Sequence, residues 1–147
     1  MKQFLSERTI EASIEDVFDV VAHIENFQKA LPHIVGIEYL TEQNRGVGTR
    51  FKETRMMGKR EATTELEVRE YEPPALVRMV SDAGGTVWDT VFRLTAAGSA
   101  TRLAMEMDAI PHKLMAKLSL PLIGGFVAKA VEKDLDAVKV YCEGSSE

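Results

Sequence analysis

The sequence predicts an α+β domain in which a seven-stranded antiparallel sheet faces a long C-terminal helix, with two short helices between strands one and two. Three observations predict it. Apolar residues recur at helical spacing just after residue 13. Period-two segments broken by turn signals then fill residues 34–109, and helical spacing returns after Pro111.

Residues Lys2 to Ile10 mix Phe4, Leu5, Thr9 and Ile10 with charges and read as the first strand. Ser13 and Asp16 make a capping box with the shorter acid, and Ile14, Val17, Phe18, Val21 and Ile24 follow at helical spacing, predicting a helix over 14–23. A second helical turn is predicted through Glu25 to Ala30. Pro32 ends it, because it disfavours helical geometry at Leu31 and has no N–H to donate.

Hairpin strands are then predicted over 34–40, 47–57, 60–71, 75–81, 86–94 and 101–109. Between them stand Asn44-Arg45-Gly46, Gly58, Glu72-Pro73-Pro74, Gly84-Gly85 and Ala97-Gly98-Ser99. After Pro111, Leu114, Leu118, Ile123, Val127, Val131, Leu135, Val138 and Cys142 trace one apolar stripe of a long helix. Pro121 removes a helical hydrogen bond, and glycine costs about 1 kcal/mol relative to alanine, so Pro121 with Gly124-Gly125 predicts a kink or loop there. The tail Gly144-Ser145-Ser146-Glu147 is predicted to fray.

With 147 residues, 45% of them hydrophobic, the chain reads as a single domain over residues 1–147. Its 18 Lys+Arg stand against 23 Asp+Glu, a formal charge of −5, which argues against a nucleic-acid partner. A single cysteine, Cys142, excludes an intrachain disulfide and a multi-thiolate zinc site, and fits a reducing, cytoplasmic setting. Glu7 and Arg8 interrupt the start too early for a secretory signal. No 18 apolar residues run together, so no membrane span is expected.

Alternation sorts each strand into two faces. Thr49, Phe51, Glu53, Arg55 and Met57 share one face, opposite Arg50, Lys52, Thr54 and Met56. Ala62, Thr64, Leu66 and Val68 point inward, with Glu61, Thr63, Glu65, Glu67 and Arg69 outward. Trp88, Thr90, Phe92 and Leu94 read as interior, as do Leu103, Met105 and Met107. Met56, Met57, Met79, Met105, Met107 and Met115 complete a methionine-rich set that suits either an adaptable pocket or plain packing. Glu53 and Arg55 carry the sharper signal, because an unpaired charge in an apolar interior costs several kcal/mol. A wet cavity resolves that cost; so does a structural ion pair, or a bulge that turns one of them outward.

Gly46-Val47-Gly48 precedes strand residues rather than a helix, so it is turn chemistry and not a phosphate loop. His23, His33 and His112 lack metal-ligand spacing and read as single surface or satisfied histidines, with a pocket rim as the alternative for His33 beside Pro32; neither metal nor cofactor is expected. No Gly-x-Ser-x-Gly elbow occurs, and Cys142 reads as packing rather than as a nucleophile.

The element order resembles the START-like helix-grip (SRPBCC) superfamily, in particular its bacterial polyketide cyclase/dehydrase and lipid-transport branch. The resemblance covers nearly the whole chain. It rests on Ile10-Glu11-Ala12-Ser13-Ile14-Glu15-Asp16-Val17-Phe18-Asp19-Val20-Val21, on Ile24-Glu25-Asn26-Phe27 before Leu31-Pro32, on Gly46-Val47-Gly48-Thr49-Arg50-Phe51, and on Asp134-Leu135 in the terminal helix. It implies a sheet wrapped around that helix and an elongated cavity for lipids, quinones, polyketides or other apolar molecules. Mapped onto this sequence, the implied wall is Phe51, Glu53, Arg55, Leu66, Met79, Trp88, Thr90, Phe92, Met105, Met107, Phe126, Val127 and Val131, with the Pro121 to Gly125 break near a mouth. The superfamily has no shared catalytic set to carry over.

Three functions follow as expectations. The first is a binder of a small apolar or aromatic ligand whose polar end meets Glu53, Arg55 or Thr90. The second is a cyclase or dehydratase in which Glu53 shuttles a proton and Arg55 steadies an enolate, such groups contributing about 10² to 10⁴ in rate. The third is an interaction protein for a quinone or respiratory partner. In it Leu118 to Phe126 docks a partner or makes transient membrane contact, with only Lys117 and Lys129 nearby to attract anionic lipid.

Overall fold

The computed structural model describes residues 1–145. Its elements are β1 (Lys2–Ile10), α1 (Ile14–Ala22), α2 (Ile24–Ala30), β2 (Ile34–Tyr39), β3 (Arg50–Met57), β4 (Arg60–Glu72), β5 (Leu76–Ala83), β6 (Thr86–Ala97), β7 (Ala100–Pro111) and α3 (Leu114–Ser145). All seven strands form one antiparallel sheet in the order β1-β7-β6-β5-β4-β3-β2. Five neighbouring pairs are sequence-adjacent. The sixth joins the chain's beginning to its last strand, with Lys2 opposite Ala109 and Ile10 opposite Thr101.

Ser13 caps α1 by accepting the Asp16 N–H at 3.2 Å. α1 then buries Val17, Phe18, Val20, Val21 and Ala22. His23 alone separates α1 from α2. It is buried, with Nδ1 2.8 Å from an Asp19 carboxylate oxygen and Nε2 2.9 Å from the Tyr71 hydroxyl. Both ring nitrogens are thus satisfied, one by half-buried Tyr71 and one by Asp19 at the surface.

β3 starts at Arg50 rather than at Val47. Gly46 (φ 85°) and Gly48 (φ 95°) adopt left-handed backbone, which a strand cannot continue through. The Gln43 side-chain amide fastens that turn, donating to the Arg45 and Val47 carbonyls at 3.0 and 2.9 Å. The register shift in the β2–β3 pair falls on the β2 side, between Ile34 and Gly36, so β3 stays regular and Glu53 and Arg55 keep a common face.

α3 runs unbroken through Pro121, Gly124 and Gly125, and the predicted loop does not form. Pro121 forfeits only its own bond to the carbonyl four residues back. The turns around it are held down by buried Ala116, Leu120 and Gly124, the last lying under the Lys2 side chain. The apolar stripe holds for Val131, Leu135, Val138 and Cys142, all buried, and Val127 packs partly against the same core. Ahead of Val127 it fails: Leu114, Leu118 and Ile123 are exposed, together with Met115, Leu122 and Phe126. Ala116, Leu120 and Gly124 make the buried side there, and the other large apolar residues face outward. Helix continues to Ser145, and the rest of the predicted frayed tail, Ser146 and Glu147, lies outside the described residues.

By length and mean hydropathy a stretch within Leu114–Gly144 is apolar enough to cross a membrane, and 22% of that stretch is buried. The absence of an uninterrupted apolar run does not register this, because Lys117 and Lys129 are averaged into the window. The later turns carry Glu132, Lys133, Asp134 and Asp136 and bury their apolar face in the core. Arg8 ties β1 to them, donating to Glu132 at 2.6 Å and to Asp136 at 2.7 Å.

Candidate functional site

Each inner sheet strand sends alternate side chains toward α3 and the two short helices, and the antiparallel register sets them in rows. Phe51 stands opposite Leu66, Glu53 opposite Thr64, and Arg55 opposite Ala62. Met79, Thr90 and Met107 form one row across β5, β6 and β7, Phe92 pairs with Met105, and Ser81 faces Trp88. These side chains enclose a cavity of about 300 Å³ with Val21 of α1, Phe27 of α2, and Val127, Ala130, Val131 and Asp134 of α3. Met57 and Ala83 complete the wall. Wider hollows lie outside; that between β1 and α3, about 570 Å³, is shallow and rimmed by exposed Lys2, Gln3, Leu5 and Lys129.

Of the wall residues expected from the resemblance, Phe51, Glu53, Arg55, Leu66, Met79, Trp88, Thr90, Phe92, Met105, Met107, Val127 and Val131 line this space. Phe126 does not. It is 62% exposed, because Val127, Ala130, Val131 and Asp134 occupy the inward face of α3 and residue 126 falls one helical step outside it. Nor does the Pro121 to Gly125 segment form a break at a mouth, since that stretch is helix.

Glu53 and Arg55 are both an ion pair and part of the cavity wall. Arg55 Nε donates to Glu53 Oε1 at 2.8 Å, and Nη1 donates to Asp134 Oδ2 at 3.0 Å. His33 stands at the edge of this group, with Nε2 3.4 Å from Arg55 Nη1 and 3.8 Å from Asp134 Oδ1. Glu53 and Asp134 are both buried. Burial works against the Arg55 charge, but Glu53 and Asp134 together outweigh it, and the guanidinium is held above its ordinary range. Arg55 therefore stays a cation. Glu53's second carboxylate oxygen has no hydrogen-bond partner among the described residues.

Asp134 was legible in the sequence only as a family marker. Its position three and four residues beyond Val131 and Ala130, on the inward stripe, is the signal that could have identified it. The Cys142 thiol is pushed up to about 11 by burial and by nearby Asp16 and Glu143, which keeps it protonated and unreactive at neutral pH. Among the described residues no three His, Cys, Asp or Glu side chains are grouped to hold a metal ion.

The model of the family described as polyketide cyclase / dehydrase and lipid transport matches residues 1–143. No curated protein matches the chain. Among solved structures, the Zhui aromatase/cyclase from Streptomyces sp. R1128 superposes with a TM-score of 0.83 at 15% identity, covering 99% of this chain and 96% of that one. A protein from Thermus thermophilus gives 0.80 at 17% identity, covering 99% and 100%. A point mutant of norcoclaurine synthase from Thalictrum flavum, bound to a transition-state analogue, gives 0.71 at 17% identity, covering 99% and 96%. Identities this low establish a shared helix-grip fold and leave the chemistry open. On the family match along nearly its whole length, the chain belongs to the polyketide cyclase/dehydrase and lipid transport family.

Proposed function

We propose that the protein binds a small hydrophobic or aromatic molecule, of lipid, quinone or polyketide-like character, between the sheet and α3. What carries the reading is the lining itself, in which methionine and aromatic side chains surround one buried charged group. The cavity has the volume of about ten water molecules at about 30 Å³ each. A ligand burying about 200 Å² of apolar surface gains about 5 kcal/mol. Association costs at least about 4 kcal/mol, so apolar fit alone gives weak binding and the polar cluster decides which molecule stays.

Native mass spectrometry of freshly purified protein, followed by solvent extraction, tests this reading. The expected result is one apolar molecule per chain, lost on denaturation and absent from Ala130→Phe, which fills the cavity. Retention of the same molecule by Ala130→Phe would place it elsewhere and overturn the reading.

A second reading is a cyclase or dehydratase with Glu53 as general acid/base. The observation favouring it is the geometry of that carboxylate, buried with one oxygen held by Arg55 and the other open. Arg55 is the weaker half of this reading, since its Nε and Nη1 are engaged and only Nη2 is left to meet an enolate. Under it Glu53→Gln abolishes turnover of the extracted molecule; unchanged turnover removes the acid/base role.

A further inference from the structure

The formal charges lining the cavity are those of Glu53, Arg55 and Asp134 alone among the described residues. One guanidinium bonded to two carboxylates leaves one negative charge over. Nothing inside the wall offsets it: the other polar lining groups, Thr64, Ser81 and Thr90, carry neutral hydroxyls. His33 does not line the cavity and meets Asp134 from its half-exposed edge. Glu53 is only 8% exposed, yet one of its oxygens is bonded to no protein group among the described residues. That oxygen is not sealed in protein: it opens onto the cavity, where a ligand's donor takes the place of water.

We propose that the cavity selects ligands whose polar end is an amine or a hydroxyl, docked on the open oxygen of Glu53, and rejects ligands that end in a carboxylate. This deepens the ligand-binding reading and rests on it. An ammonium cancels the surplus charge at a site where the low dielectric strengthens the attraction. A phenol or alcohol donates its hydrogen without changing the charge. A carboxylate brings a third anion to a single cation. Nε and Nη1 already hold Glu53 and Asp134, so only Nη2 is left for it, beside two carboxylates that repel it.

Trp88 is the chain's single tryptophan and lines the cavity, so its emission reports occupancy. The test is to titrate the full-length protein at neutral pH with phenylbutylamine, phenylbutanol and phenylbutyrate, which share one apolar body. The amine and the alcohol are expected to bind at least about tenfold more tightly than the carboxylate. Glu53→Gln removes the surplus charge and should collapse the amine-over-carboxylate ratio toward one. Asp134→Asn provides the same reading should the first variant fail to fold. Phenylbutyrate binding as tightly as the amine overturns the inference while leaving the cavity a ligand site. If none of the three perturbs Trp88 at millimolar concentration, the inference fails, and the extraction experiment decides the ligand-binding reading separately.

Discussion

Arg55 on β3 and Asp134 on α3, 79 positions apart in the chain, meet at 3.0 Å beside the cavity. Both carry other duties: Arg55 also holds Glu53, and Asp134 stands beside His33. Removing Arg55 strands two carboxylates that the fold has already taken out of water, whereas removing Asp134 leaves Arg55 paired with Glu53.

Asp134→Ala should lower stability by about 1–3 kcal/mol, less than for an isolated buried pair because Arg55 keeps Glu53. Urea unfolding monitored by circular dichroism checks it. The midpoint should fall with an unchanged slope, and a loss below about 0.5 kcal/mol would show that the contact contributes little to the fold.

Ala130→Phe should fill the space facing Phe51 and Met79 and weaken binding of the amine probe at least about tenfold, while far-UV circular dichroism stays unchanged. Undiminished binding would mean that the probe sits outside the cavity.

Gly125→Ala should stabilise the protein by about 0.5–1 kcal/mol. A methyl group there meets no atom within 4 Å, and alanine is the better residue inside a helix. A thermal melt checks this; destabilisation would show that Gly125 serves a bend the continuous helix does not reveal.

Tyr39 donates a hydrogen bond to Glu25, which is also paired with Arg45. Burial, then Glu25, pushes the Tyr39 phenol up to about 12 from 10.0. For Glu25, burial opposes ionisation, but the bonds from Tyr39, the backbone and Arg45 outweigh it and lower its value. A raised folded value makes the Tyr39 contribution complete below pH 10 and lost as pH climbs through about 12. The depressed Glu25 value makes its contribution complete above the ordinary carboxylate range and lost on acidification through the folded value. Ultraviolet titration of the phenolates should find Tyr39 ionising near 12, and returning toward 10 in Glu25→Gln. An unmoved Tyr39 titration in that variant would refute the coupling.

Cys142 is buried on the inner face of α3, and its thiol is pushed up to about 11, chiefly by burial. A disulfide thiol reagent at pH 8 should react at the rate of unfolding, and promptly in denaturant. Prompt reaction of the native protein would show that the end of α3 opens readily.

Strand alternation is local, and so it carried far: a two-residue period settles which face holds Phe51, Glu53 and Arg55, or Trp88, Thr90 and Phe92, without reference to the rest of the chain. Turn residues and the Ser13 cap likewise set element order, and with it the family resemblance. The phase of α3 could not be read the same way. Large apolar residues occur all round its first half, and the buried face is marked by Ala116, Leu120 and Gly124 because β1 lies against it, while Phe126 points to solvent. Whether Glu53 and Arg55 formed a structural pair or faced a cavity was undecidable from two positions in one strand. The answer came from Asp134, which no periodicity links to β3. Its meeting with Arg55 exists only once the sheet and the helix have packed, because burial and charge pairing are properties of the assembled interior.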